Sequence, residues 1–167
     1  MNPVQELWWR QSKSDLQTFE LLNRHQADPC HLLHYLQMGT EKIAKAYFGE
    51  VDGPRFGHAV FVSFLRSLAS LRGASQRAVI EALEFRSPNA FTAWLHGAYP
   101  LAYELERLAP ALAGDGPNPE YPWPRGRPVA CPCDFRFPIW DRVSETATGR
   151  QFLLMLERLV DRLDRYG

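Results

Sequence analysis

Residues 148–166 carry the strongest pattern in the chain. Phe152, Leu156, Leu159, Leu163 and Tyr166 recur at helical intervals, and Leu153, Met155 and Val160 widen the seam. At about 100° per residue these side chains share one face of a helix. Glu157, Arg158, Asp161, Arg162 and Arg165 take the other, with Asp161 and Arg165 in the i, i+4 register of a helix ion pair. One apolar face along a whole helix must be covered by other elements, so this segment demands a bundle around it. Leu154 stands alone among the charges. A single exposed leucine is ordinary, and it marks a partner contact only if other apolar residues gather beside it.

The upstream sequence supplies the covering helices. Leu16, Phe19 and Leu22, with Trp9 two turns earlier, give a first amphipathic helix that ends before Asp28-Pro29. That dipeptide starts a second, because proline loses no hydrogen bond at the first helical position. In the second helix Leu32, Leu36, Gly39, Ile43, Ala46 and Tyr47 share a face, and small residues at 39 and 46 allow another helix to approach closely; the first helix is expected to run antiparallel to the second. Opposite runs a polar row of His34, Gln37, Glu41 and Lys45, with Lys42 at the boundary, its stem on apolar surface and its ammonium in water. Gly49, Asp52, Gly53 and Pro54 stop this helix. His58 to Leu71 is densely apolar at helical spacing with Gly73 as its stop, and a short helix capped near Ser75 runs to Leu83. Ser87-Pro88 opens an irregular pair through Ala113, interrupted near Gly97 and Pro100 by a break or only by a kink. Between Gly114 and Pro138 lie seven of the thirteen prolines, with Tyr121, Trp123, Phe135 and Phe137 among them. That is too aromatic for a disordered linker, and it reads as an ordered loop crossing the bundle. The expected architecture is a single all-α domain over residues 1–167, an antiparallel up-and-down bundle of four to six helices with a long Pro-rich loop before the last.

Nineteen basic residues balance nineteen acidic ones, so no net field draws the chain to a polyanion or an anionic membrane. The start, Met-Asn-Pro-Val-Gln-Glu-Leu-Trp-Trp-Arg, has no signal-peptide pattern, and no apolar run is long enough for a bilayer; the expected location is the cytoplasm. Cys30, Cys131 and Cys133 are too few for a disulfide framework and are expected to be reduced.

The polar residues of the second helix also carry a likeness. Gln37, Glu41-Lys42 and Lys45-Ala46, followed across a Gly/Pro turn by His58, resemble the second helix and turn of the HEPN domains, small helical bundles of bacteria, archaea and some animal proteins. Trp9 to Leu22 is similar to their first helix, and Asn118-Pro119-Glu120-Tyr121-Pro122-Trp123 to the Tyr-Pro turn many carry before the last. The resemblance implies a homodimer, and pairing with a minimal nucleotidyltransferase or a nucleic-acid system of toxin-antitoxin or defence type.

RNA-cutting members use an arginine followed four to six residues later by a histidine, a fixed cation for phosphate and a titratable imidazole. This chain has no such pair: Arg55 precedes His58 by three, Arg24 adjoins His25, Arg86 precedes His96 by ten, and no histidine follows His96. The expectation is therefore a non-catalytic binding or interaction module with no cofactor; the alternative is a ribonuclease with a divergent site, in which Arg125, Arg127 and Arg136 contact phosphate unless they pair with Glu120 and Asp134. Candidate ligand-binding residues are Gln37, Glu41, Lys42, Lys45, His58 and Tyr121. Lys42 and Lys45 are two of only three lysines, which makes a nucleotide phosphate a reasonable ligand, whereas a solvated face is the commoner role for such residues. His58 alone reads first as a cap or hydrogen-bonding residue opening the third helix. Their gathering in one cleft favours ligand binding; their dispersal favours scaffolding. Metal binding is not expected. Cys131 and Cys133 lack the two-residue spacing of a zinc knuckle, and His31 and His34, near Cys30, have no defined third ligand. Phosphate-loop, Gly-x-Ser-x-Gly and His-Glu-x-x-His motifs are absent from the sequence.

Overall fold

The computed structural model describes residues 1–49, 57–114, 116–123 and 130–162. Among them are eight α-helices: α1 (Pro3–Arg24), α2 (Pro29–Phe48), α3 (Phe61–Ser70), α4 (Gly73–Ala82), α5 (Pro88–Glu106), α6 (Pro110–Ala113), α7 (Pro138–Glu145) and α8 (Ala147–Arg162). The described residues contain no strand, only an isolated bridge between Trp123 and Ala130. The chain is all-α, and no described helix is long and apolar enough to cross a membrane.

Asn2 caps α1 through a reciprocal pair, accepting from the Gln5 amide at 2.9 Å while its own amide donates to the Gln5 side chain at 2.8 Å. Proline opens α2 where expected, although the Asp28 carboxylate makes no cap bond. Gly49, at φ +71°, closes it in the left-handed region that glycine tolerates best. Gln5 reaches the Tyr47 carbonyl, Asp15 meets Lys42, and Leu16 lies against Gly39. As numbers rise on α1 they fall on α2, so the two helices are antiparallel. A Cβ at position 39 would stand 2.8 Å from Leu16 Cδ2, which is why a small residue belongs there.

These helices enclose one core. Phe61 and Phe64 of α3, Phe91 and Trp94 of α5, and Phe152, Leu156 and Leu159 of α8 are buried around Leu33, Leu36 and Ile43 of α2. Edge-to-face contacts join Tyr47 to Phe64 and Phe61 to Phe152.

Several expectations need correction. Eight described helices replace four to six, partly because Pro138 begins α7 instead of ending a loop; Ile139 and Val143, one turn apart, bury its inner face. Of the two alternatives near Gly97 and Pro100 the break is excluded, because α5 runs through both as one helix. Pro100 is exposed, so the helix tolerates it on its solvent side, where a carbonyl left without an amide partner costs less than it would in the core. Gly73 is not the stop of the preceding helix but the first residue of α4, and Ser75 caps nothing. α3 begins at Phe61 with Val60 at its cap, so His58 lies ahead of the helix. Asp52, Gly53, Pro54, Arg55, Arg125, Arg127, Leu163, Arg165 and Tyr166, on which further expectations rest, lie outside the described residues. Asp161, expected to pair with Arg165, lies 3.2 Å from Lys13 of α1.

Candidate functional site

The polar row of α2 points inward more than its sequence suggests. Gln37 is 2% exposed, Glu41 5% and Lys42 8%, so this is a buried polar layer and not a solvated face. Each member must therefore find a partner inside the bundle, because an unpaired buried polar group costs roughly 1–3 kcal/mol.

Glu41 is the hub of one group. Its Oε2 accepts from Gln37 Nε2 at 3.1 Å and faces His58 Nδ1 at 2.8 Å, and its Oε1 accepts from Lys45 Nζ at 2.6 Å. Burial pushes this carboxyl up, but hydrogen bonds from Lys45 and His58, and their charges, outweigh it and hold it below the usual range. Lys45 also lies over the Trp8 ring, 4.8 Å from its centre. His58 keeps 43% of its side chain exposed. With Nδ1 turned to the carboxylate, Nε2 is the ring nitrogen left to face outward.

Lys42 belongs to a separate group. Its ammonium reaches back to Asp15 of α1 at 2.5 Å, and Asp15 also accepts from Gln11 at 3.0 Å. The expectation of a wet Lys42 ammonium is thus corrected: α1 brings a carboxylate to it, and both side chains are about nine-tenths buried.

Tyr121 joins neither group by a hydrogen bond or ring contact among the described residues. It sits on a turn in which Asn118 Oδ1 accepts from the amides of Glu120 at 3.1 Å and Tyr121 at 2.8 Å, and it is 60% exposed. Glu120 faces His34 Nδ1 at 3.5 Å, which ties the turn to the start of α2. Arg136 pairs with Asp141, 2.8 Å away, and not with Glu120 or Asp134. The six candidates therefore divide: Gln37, Glu41, Lys45 and His58 come together, while Lys42 and Tyr121 lie elsewhere.

Comparison with family models, with curated proteins and with solved structures finds no match to this chain.

Of two further residues that matter here, Asp15 escaped the sequence reading and Glu106 reads there only as a dispersed acid without a metal-ligand partner. Asp15 falls within the Ser12, Leu16, Phe19 stripe of α1, and Glu106 within the Ala98, Ala102, Leu105 face of α5. A charge placed at an apolar position was the available signal in both cases. Glu106 accepts from the Val62 amide at 2.7 Å, so a carboxylate from α5 satisfies the first turn of α3, which has no side-chain cap of its own. Burial pushes the Glu106 carboxyl up, against the opposing effect of the Val62 and Phe61 amides. Glu41 through His58 and Glu106 through Val62 thus fasten the entry to α3 from two sides.

Proposed function

We propose that this chain is a non-catalytic interaction module of the HEPN type that works through protein association, first as a homodimer. The observation that carries this reading is the internal neutralisation of both α2 lysines, Lys42 by Asp15 and Lys45 by Glu41. A nucleotide phosphate would have to displace a buried carboxylate from either one, and removing one partner of a buried pair costs about 3–5 kcal/mol. Dispersal of Lys42, His58 and Tyr121 supports scaffolding over a ligand cleft.

The surface also supports association. Leu154 is 42% exposed on α8, at a hollow of about 270 Å³ between α1, α2 and α8 whose floor is the buried Leu16, Phe19, Leu36 and Leu156 and whose rim includes the exposed Glu20, Asn23 and Glu157. An exposed leucine over an apolar floor with a polar rim is the anatomy of a small contact surface, and it supports association on this reading. The occupant on this reading is a second copy of the chain; the minimal nucleotidyltransferase partner rests on the sequence resemblance alone. Light scattering across a concentration series tests the reading. A dimer that persists in high salt and is lost in Leu154→Glu is expected, and a monomer at all concentrations refutes it. Calorimetry with a nucleoside triphosphate is expected to give no heat of binding.

A second reading, a divergent ribonuclease, is favoured by one observation: a carboxylate set 2.8 Å from Nδ1 of a half-exposed histidine is the arrangement that orients an imidazole as a general base. RNA cleavage by the wild type that disappears in His58→Ala would establish it; no cleavage would remove it.

A further inference from the structure

We propose that Cys131, Cys133 and Asp134 form a binding site for a thiophilic divalent cation of the zinc type. The two sulfur atoms lie 2.9 Å apart, and they and the Asp134 carboxylate lie within 4.8 Å of one another. The one-residue spacing that fails as a zinc knuckle is made convergent by the turn it occupies. Pro132 opens a single 3₁₀ turn over Pro132–Asp134, closed by the Asp134 amide donating to the Cys131 carbonyl at 3.0 Å, and both thiols emerge on the same side.

The turn is held in place from below. Trp123 and Phe137 are buried, Phe135 packs edge-on to both at 5.3 and 4.9 Å between ring centres, and the Trp123 amide donates to the Ala130 carbonyl one residue before Cys131. Donors fixed by such packing lose little freedom on binding. Two thiolates at the usual Zn–S length of about 2.3 Å stand roughly 3.8 Å apart around a tetrahedral ion. Cys133 is exposed, so a side-chain rotation of this turn's outer thiol opens the pair to that separation without disturbing the core. Sulfur donors select zinc-like ions over magnesium or calcium, and three protein donors leave a fourth position for water or another ligand.

The test uses the full chain, reduced, loaded with Zn²⁺ alone and desalted. About one Zn²⁺ per chain is expected to remain, and Co²⁺ in its place is expected to show sulfur-to-metal charge transfer. Cys131→Ser and Cys133→Ser should each abolish retention with far-UV circular dichroism unchanged. Asp134→Asn should weaken binding by about 10-fold or more while keeping the charge-transfer band. His31→Ala and Cys30→Ala should bind as the wild type does. The proposal is overturned if the wild type retains no zinc, if the Cys131→Ser/Cys133→Ser double variant still binds, or if only the Cys30 or His31 change removes the ion.

Discussion

Cutting the Asp15–Lys42 pair is the sharpest test of the buried polar layer. The side chains are 9% and 10% exposed, so water screens the pair little, and the small values typical of surface ion pairs do not apply. Lys42→Met removes the ammonium and leaves a carboxylate enclosed between α1 and α2, still holding the Gln11 donor at 3.0 Å. Loss of one partner of a buried pair costs about 3–5 kcal/mol, and the retained Gln11 bond places this variant near 3. For a chain of this length about 3 kcal/mol lowers Tm by roughly 6–12 °C. Asp15→Asn, which strands the ammonium instead, should fall in the same range. The double variant should cost about 2 kcal/mol less than the sum of the singles, because neither charge is then left behind. Urea unfolding followed by far-UV circular dichroism measures all three. Single variants that each lie within about 0.5 kcal/mol of wild type, the range of ordinary surface changes, would refute a buried, unscreened pair. A double variant equal to the sum of the singles would refute the pairing as well.

Two further carboxylates make opposite predictions for pH. Glu41 is held below the ordinary value of 4.5, so the stability it contributes is present above that value and lost as pH falls through the lowered one. Unfolding curves of Glu41→Gln should therefore be flatter than wild type below pH 4.5. Glu106 is raised above 4.5, so the native state holds its proton longer and stability is lost as pH rises from 4.5 through the raised value. Relative to wild type, Glu106→Gln should gain stability across that upper window in the same titration; a parallel curve would show that the carboxyl is not held up. Gly149 makes a steric prediction: a Cβ there would collide with the carbonyl oxygens of Arg142 and Val143, backbone atoms that cannot rotate away. Gly149→Ala should cost about 1–3 kcal/mol in thermal unfolding, although alanine is the better helix former.

The long helices were legible because each needs only a repeated apolar interval and an end signal. Asp28-Pro29, Gly49 and Ser87-Pro88 mark boundaries that the folded chain keeps. The shorter features were not, for physical reasons. A two-turn helix such as α7 offers one inward pair, Ile139 and Val143, too little to set a period apart from chance. Pro100 reads as a break because a sequence does not say which side of a helix the lost hydrogen bond will face. In the candidate site the α2 members were visible and their environment was not. Whether Glu41 and Lys42 are wet depends on Asp15 and His58, residues of other segments whose approach only the folded chain decides.

One link near the two ends of the described chain reaches beyond the site. The Trp9 indole donates to the Val160 carbonyl at 2.5 Å, and Lys13 pairs with Asp161, so the opening helix and the closing one are stitched together. A ribosome releases these partners at opposite times. Until α8 emerges, the Phe61 and Leu36 side of the nascent bundle has no lid, and the half-made protein shows its interior to whatever holds it. Rejoining the chain so that residue 162 leads into residue 1 would make α1 and α8 neighbours in sequence, and their closure would no longer wait on the helices between them.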